Sequence, residues 1–153
     1  MLASGAAVIG AALAGCLDGS ATPDATAVFP AATVYLDPDC GCCGLHADYL
    51  ADAGATVTVV ELPAAELYEM KADLGITREY QSCHTTELED GYVVEGHVPV
   101  SVINELVETA PPVAVVGLPG MPSGSPGMPG SKDEEWVFYS IDEQGEVGEF
   151  TRK

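Results

Sequence analysis

Residues 39–44 read DCGCCG, so Cys40, Cys42 and Cys43 fall within four consecutive positions, and Cys83 follows further along the chain. A thiolate is the nucleophile of disulfide exchange and also a soft metal ligand, so these residues point to redox chemistry, metal chemistry or both. Cys40 and Cys43 make a C-x-x-C pair, which is sufficient for a dithiol exchanger. Cys42 is then surplus. Adjacent cysteines point in different directions, so the three offer sulfurs on several sides of one loop. With Cys83 added, four thiols become a ligand set for Cu(I), Zn(II) or an iron–sulfur group. Adjacent cysteines are awkward around one tetrahedral zinc and natural for sulfur-bridged Cu(I). The competing reading is a pair of structural disulfides in an oxidising compartment, for which four cysteines allow three pairings.

Other donors are less specific. His46 lies three residues after Cys43 on the same helical face, and reads either as a ligand or as an exposed polar residue. His84 follows Cys83; in a strand its side chain faces away from that sulfur. His97 reads as a capping or surface histidine. Met121 and Met128 sit in a Gly/Pro-rich segment, and their thioethers suit Cu(I) without deprotonation. They form a lid or entry site, or simply pack on the core.

The elements that must position these residues follow from patterning. Residues 32–36 (ATVYL) read as a strand, and a helix runs from Cys42 or Cys43 to Ala53, with Gly54 as its stop. Residues 55–62 form a second strand, Pro63 opens a helix ending at Gly75, and residues 83–95 read as a hairpin. A third helix covers 98–110, and 113–118 reads either as a short strand or as a buried extended run; residues 118–132 lack periodicity; the chain closes in a C-terminal hairpin. The order β-α-β-α-β-β-α predicts an α/β fold of thioredoxin-like plan, a small mixed sheet with helices on both faces plus the C-terminal β-hairpin. In that plan the dithiol lies between the first strand and first helix. No proline occurs between Pro63 and Pro99, so Cys83 occupies the place where such proteins usually carry a substrate-guiding proline.

Three separated stretches, CGCCG (40–44), SCHTTELEDGYVVEGHVP (82–99) and GLPGMPSGSPGM (117–128), together resemble the CopG-type family of small extracytoplasmic thioredoxin-like proteins linked to copper resistance. The resemblance runs from about Thr33 to the C-terminus. It implies a thiolate-bridged Cu(I) cluster held by Cys40, Cys42, Cys43 and Cys83, and a role in copper resistance or copper redox handling; His46, His84, Met121 and Met128 are auxiliary donor candidates on their residue types and positions alone. It implies copper ions as the partner, and copper-export or multicopper-oxidase proteins as further candidates. Whether the family turns over as an enzyme is left open. The alternative is a thiol–disulfide oxidoreductase using Cys40 and Cys43.

Charge and the first residues bound the setting. There are 24 acidic residues against 5 basic ones, a formal charge of −19, which excludes nucleic-acid binding and attraction to anionic lipid head groups. The acids are spread along the chain and suit a solvated surface in high salt, as in a halophile; the competing reading is a cation-attracting field around a metal site. Residues 1–15 are apolar and small, and too few for a helix to cross a bilayer, which needs about 20 residues. With Leu13-Ala14-Gly15-Cys16 they resemble a signal peptide ending in a lipobox. The expected organisation is a signal peptide over 1–15, lipidation at Cys16, a flexible tether over 16–31, and a thioredoxin-like metal-binding domain over 32–153. The protein would then be extracytoplasmic, on the outer face of the cell membrane, held by its lipid anchor only.

Overall fold

The alternation of β1, Ala31–Leu36, buries Ala32, Val34 and Leu36 on one face, and this strand stands one place in from the sheet edge. The computed structural model describes residues 21–153. Along the chain follow α1 (Gly41–Asp52), β2 (Thr56–Glu61), α2 (Ala64–Asp73), β3 (Thr85–Leu88), β4 (Val93–Glu95), α3 (Val100–Thr109), β5 (Val115–Gly117), β6 (Val137–Ile141) and β7 (Val147–Arg152). The strands form one seven-stranded mixed sheet in the order β2-β1-β3-β4-β5-β6-β7. β1 runs parallel to β2 and antiparallel to β3, with Val34 opposite Val59 on one side and Thr86 on the other.

The first four strands and three helices are the thioredoxin-like plan. The expected mixed sheet and closing hairpin are present, the hairpin as β6–β7. β5 pairs parallel to β4, β6 pairs antiparallel to β5, and the hairpin thereby extends the same sheet.

Strand alternation divides the core between two faces. Val94, Val116 and Phe138 face one side, where Ala47 and Leu50 of α1 and Ile103 and Leu106 of α3 cover them. Val93, Val115 and Tyr139 face the other, against Ile76 and Tyr80 from the segment after α2. Each fully buried Leu or Ile contributes roughly 1.5–3 kcal/mol through removal from water. No helix among the described residues is long and apolar enough to cross a membrane.

One boundary needs correction. Residues 21–30 are no tether. Phe29 is buried in the main core, with Ala21, Ala25 and Ala27 packed around it. Asp24 accepts hydrogen bonds from the Tyr49 hydroxyl (2.6 Å) and the Ser101 amide (3.3 Å), and Asn104 brackets this segment by bonding Val28 N and Thr26 O. This short run of small residues and prolines hides one large aromatic anchor, and that anchor with its hydrogen bonds sets the packing. The proposed signal peptide, lipidated Cys16 and the first part of the tether lie outside the described residues.

Candidate metal centre

The turn that carries the cysteines begins at Asp37. Its side chain accepts from Asp39 N (2.9 Å) and its carbonyl from Cys40 N (2.9 Å), a tight turn favoured by Pro38 in its second position. Cys40 is the N-cap of α1, so Cys42 and Cys43 lie in the first helical turn. The helix thus begins slightly earlier than the sequence suggests. Its unpaired N–H groups and the positive end of its dipole surround the sulfurs. Cys43 is buried, and Cys40, Cys42 and Cys83 are half-buried.

Cys83 arrives from the other side, just before β3. The four sulfurs of Cys40, Cys42, Cys43 and Cys83 all lie within 4.8 Å of one another. Cys42 Sγ is 3.6 Å from Cys40 Sγ and 3.9 Å from Cys83 Sγ. Cys40 and Cys43 are joined by a disulfide, and Cys42 and Cys83 are free thiols. The same four residues therefore offer a C-x-x-C disulfide in one redox state and a compact tetrathiolate set in the other.

Burial pushes the Cys83 thiol up to about 12, and the neighbouring Cys42 adds to the shift; Ser82 and Lys71 oppose it. Cys83 is thus protonated near neutral pH, and a metal ion must displace that proton.

The segment bearing Cys83 is held by a buried ion pair. Lys71 of α2 and Glu95 of β4 are fully buried and in direct contact. Glu95 also accepts from Ser82 N (2.7 Å) and from the Thr85 hydroxyl (2.6 Å), and Lys71 donates to Ser82 O (3.3 Å). Gly96 makes the approach feasible: a Cβ there would lie 2.5 Å from Ser82 Cβ and 2.9 Å from Leu118 O. The sequence gives no sign that Lys71 lies inside.

The histidines differ from expectation. Cys83 and His84 precede β3, so strand alternation does not separate them, and His84 Nδ1 sits 3.3 Å from Cys83 Sγ. His97 is neither a surface nor a capping group. It is fully buried, with Nε2 3.0 Å from Cys83 Sγ. His46 is also fully buried rather than exposed, and it touches His84. Burial lowers all three: His46 to about 3, helped by the nearby His97, His84 well below its ordinary value, and His97 in the same direction. Sequence reasoning missed His97 as a site residue. The available signal was Gly96 directly before it, which lets the chain turn against the Cys83 segment.

The Gly/Pro segment is no loose lid. Pro126 O accepts from His97 Nδ1 (2.7 Å), Gly120 N bonds Gln81 O (3.2 Å), and Ser125 N and Met128 N close successive turns. Gly127 has φ +83° and presses on α1, where a Cβ would come 2.9 Å from His46 N and 3.1 Å from Cys42 O. Irregular backbone here is fixed by turns and tertiary bonds that periodicity does not report. Met121 is half-exposed and lines a groove shared with Cys83, Ser82 and Tyr68. Met128 is half-buried beside Gly127. A second cleft of about 310 Å³ brings Asp37 and Asp39 to the mouth of the site beside Cys40 and Cys83.

Residues 80–128 match the profile of the DUF411 family, described as a protein of unknown function. That span contains Cys83, His84, His97, Met121 and Met128. No curated protein sequence matches the chain. A solved structure described as copper resistance protein copG, form 1, is 32% identical with a TM-score of 0.72, covering 82% of this chain and 98% of that one. A second, form 2 of the same description, is 32% identical with a TM-score of 0.71, covering 81% and 98%.

Proposed function

The chain belongs to the family of the copper resistance protein CopG, and from that premise we propose that it holds Cu(I) in a cysteine-thiolate cluster for copper resistance or copper redox handling. The observation that carries the reading is the convergence of four sulfurs, from two distant segments, within 4.8 Å. Thiolates select soft ions, and sulfurs this close can each bridge two Cu(I) ions. Opening the Cys40–Cys43 disulfide takes two electrons and two protons and supplies the remaining thiols. Met121, on the exposed side of Cys83, is placed to act as an entry ligand that needs no deprotonation. Asp37 and Asp39 at the mouth favour an approaching cation. The copper ions are the cargo; delivery to an exporter or a multicopper oxidase and retention at the outer face of the membrane through Cys16 complete the proposal.

The test is anaerobic Cu(I) titration of the fully reduced protein. More than one Cu(I) per chain is expected, and absence of thiol-dependent uptake would overturn the reading.

The Cys40–Cys43 disulfide favours a second reading, a thiol–disulfide oxidoreductase. That activity requires catalysed reduction of a protein disulfide without metal and with Cys83 dispensable. Loss of any such turnover in Cys83→Ser, or none in the wild type, eliminates it.

A further inference from the structure

Two clefts of opposite character lead to Cys83. One carries Asp37 and Asp39 beside Cys40. The other, about 470 Å³, lies between α2 and the 118–132 segment, where Tyr68, Arg78, Gln81, Ser82 and Met121 border it together with Cys83. The chain has 24 acidic residues, yet none lines this second cleft. Its one charged wall group is Arg78. The other four cations of the chain are engaged: Lys71 with Glu95, Arg152 with Glu135 and Glu149, Lys153 with Glu105, and Lys132 over the ring of Trp136. Arg78 makes no ion pair among the described residues, although Glu69 borders the adjoining cleft.

The cleft is built rather than incidental. Gln81 Nε2 donates to Ile76 O at 3.0 Å, Gly120 N donates to Gln81 O at 3.2 Å, and Ser82 Oγ donates to Gly120 O, so its two walls are tied together. Arg78 stands in a turn closed by Tyr80 N on Thr77 O at 2.9 Å. Tyr68 and Met121 are the largest apolar side chains left exposed among the described residues, at 58% and 50%, and both border this cleft. A guanidinium presents a planar fork of donors that matches a carboxylate. The thioether of Met121 and the thiol of Cys83 suit a soft ion. A ligand that satisfies every wall therefore carries a carboxylate and a sulfur-bound soft metal. The cleft has the size of a small-molecule site. The formal charge of −19 repels an anion at a distance, but salt screens that field beyond about 8 Å, while a carboxylate in contact with Arg78 is screened much less.

We propose that this cleft docks a Cu(I) complex of a small, carboxylate-bearing thiol, with a carboxylate on the Arg78 guanidinium and the copper delivered past Met121 to Cys83. The inference rests on the Cu(I) reading of the cysteine cluster and names the form in which the ion arrives. Transfer is a ligand exchange. A bond forms between Cys83 Sγ and copper, the bond between copper and the carrier sulfur breaks, and the proton leaving Cys83 ends on the carrier thiolate. Copper stays Cu(I), and no electron moves. The acidic cleft is unsuited to such a carrier, because Asp37 and Asp39 repel its carboxylates. Arg78 is then a specificity residue, which reads the carrier and never touches the metal.

The probes are Cu(I)–glutathione and the same complex made with glutathione diethyl ester, whose carboxylates are blocked while its thiol is unchanged. Each is mixed without oxygen with the fully reduced, full-length chain carrying Cys16→Ser, and the rate of copper transfer is followed by stopped-flow absorbance. Arg78→Gln should slow transfer from the acid about tenfold and change transfer from the ester less than about twofold, so the ratio of the two rates is the readout. Arg78→Lys, which keeps the charge and loses the fork, should fall between wild type and Arg78→Gln. Arg78 is exposed, so these variants leave the core intact. An equal loss from both donors, or no loss from the acid, overturns the proposal. If both donors load more than one copper per chain regardless of residue 78, this inference fails alone. If neither donor loads copper onto the cysteines, the cluster reading itself fails and takes this inference with it.

Discussion

At the scale of single residues, the site depends on groups that water never reaches. Lys71 and Glu95 are both fully buried, so removing one partner leaves the other charge uncompensated. Lys71→Met should destabilise the fold by about 3–5 kcal/mol, and Lys71→Met/Glu95→Gln should recover much of that loss. Denaturant titration of both variants checks the expectation, and equal stability of the single and double variants would contradict it. The buried histidines give a pH signature. His46, His84 and His97 all have folded-state values below the ordinary imidazole value of 6.5. The unfolded chain therefore binds more protons than the folded one below that pH. The histidine contribution is fully present above pH 6.5 and is lost as pH falls toward the lowered values. Between pH 7.5 and 5.5 metal-free protein should lose about 1 kcal/mol per histidine, roughly 2–4 kcal/mol in all. Denaturant unfolding at the two pH values measures this, and a flat profile would mean that the histidines are not buried as neutral groups.

At the scale of elements, the cysteine turn, the Cys83 segment and the 118–132 segment meet at one end of the sheet. Gly127 joins the 118–132 segment to α1: it has φ +83° and no room for a Cβ against His46 N and Cys42 O. Gly127→Ala should cost about 1–3 kcal/mol and lower metal affinity, because the segment must lift from α1 and withdraw Pro126 O from His97. Thermal unfolding and metal titration of the same variant test both halves. An unchanged melting temperature would show that the contact is slack.

Legibility in the sequence followed the same physics. Patterning exposed β1, α1 and α3 because each buries one face in the core, whereas β2 was marked by its run of Val and Thr and α2 by Pro63 and Gly75 at its ends. The convergence of Cys83 on the cysteine turn was expected from the strand order. His97 and the ordered Gly/Pro segment were not legible, because turns and long-range hydrogen bonds hold them and neither leaves a period. Phe29 was hidden because it stands alone among small residues and prolines, with no period to mark a buried face.

At the scale of the whole molecule, a seven-stranded sheet supports one cysteine- and histidine-lined end on a chain of formal charge −19. That charge repels anionic surfaces, so membrane retention would have to come from a lipid on Cys16 rather than from the domain. In the native cell Cys16→Ser should move the protein from the membrane to the soluble fraction. Membrane retention unaffected by that substitution would contradict the anchor.

The most direct test of the account is the number of Cu(I) ions bound per fully reduced chain, compared between wild type and Cys83→Ser under anaerobic conditions. The account predicts more than one ion in the wild type and loss of that multinuclear binding in the variant. Equal copper loading of the two proteins would contradict it, because the distant sulfur would then play no part in the cluster.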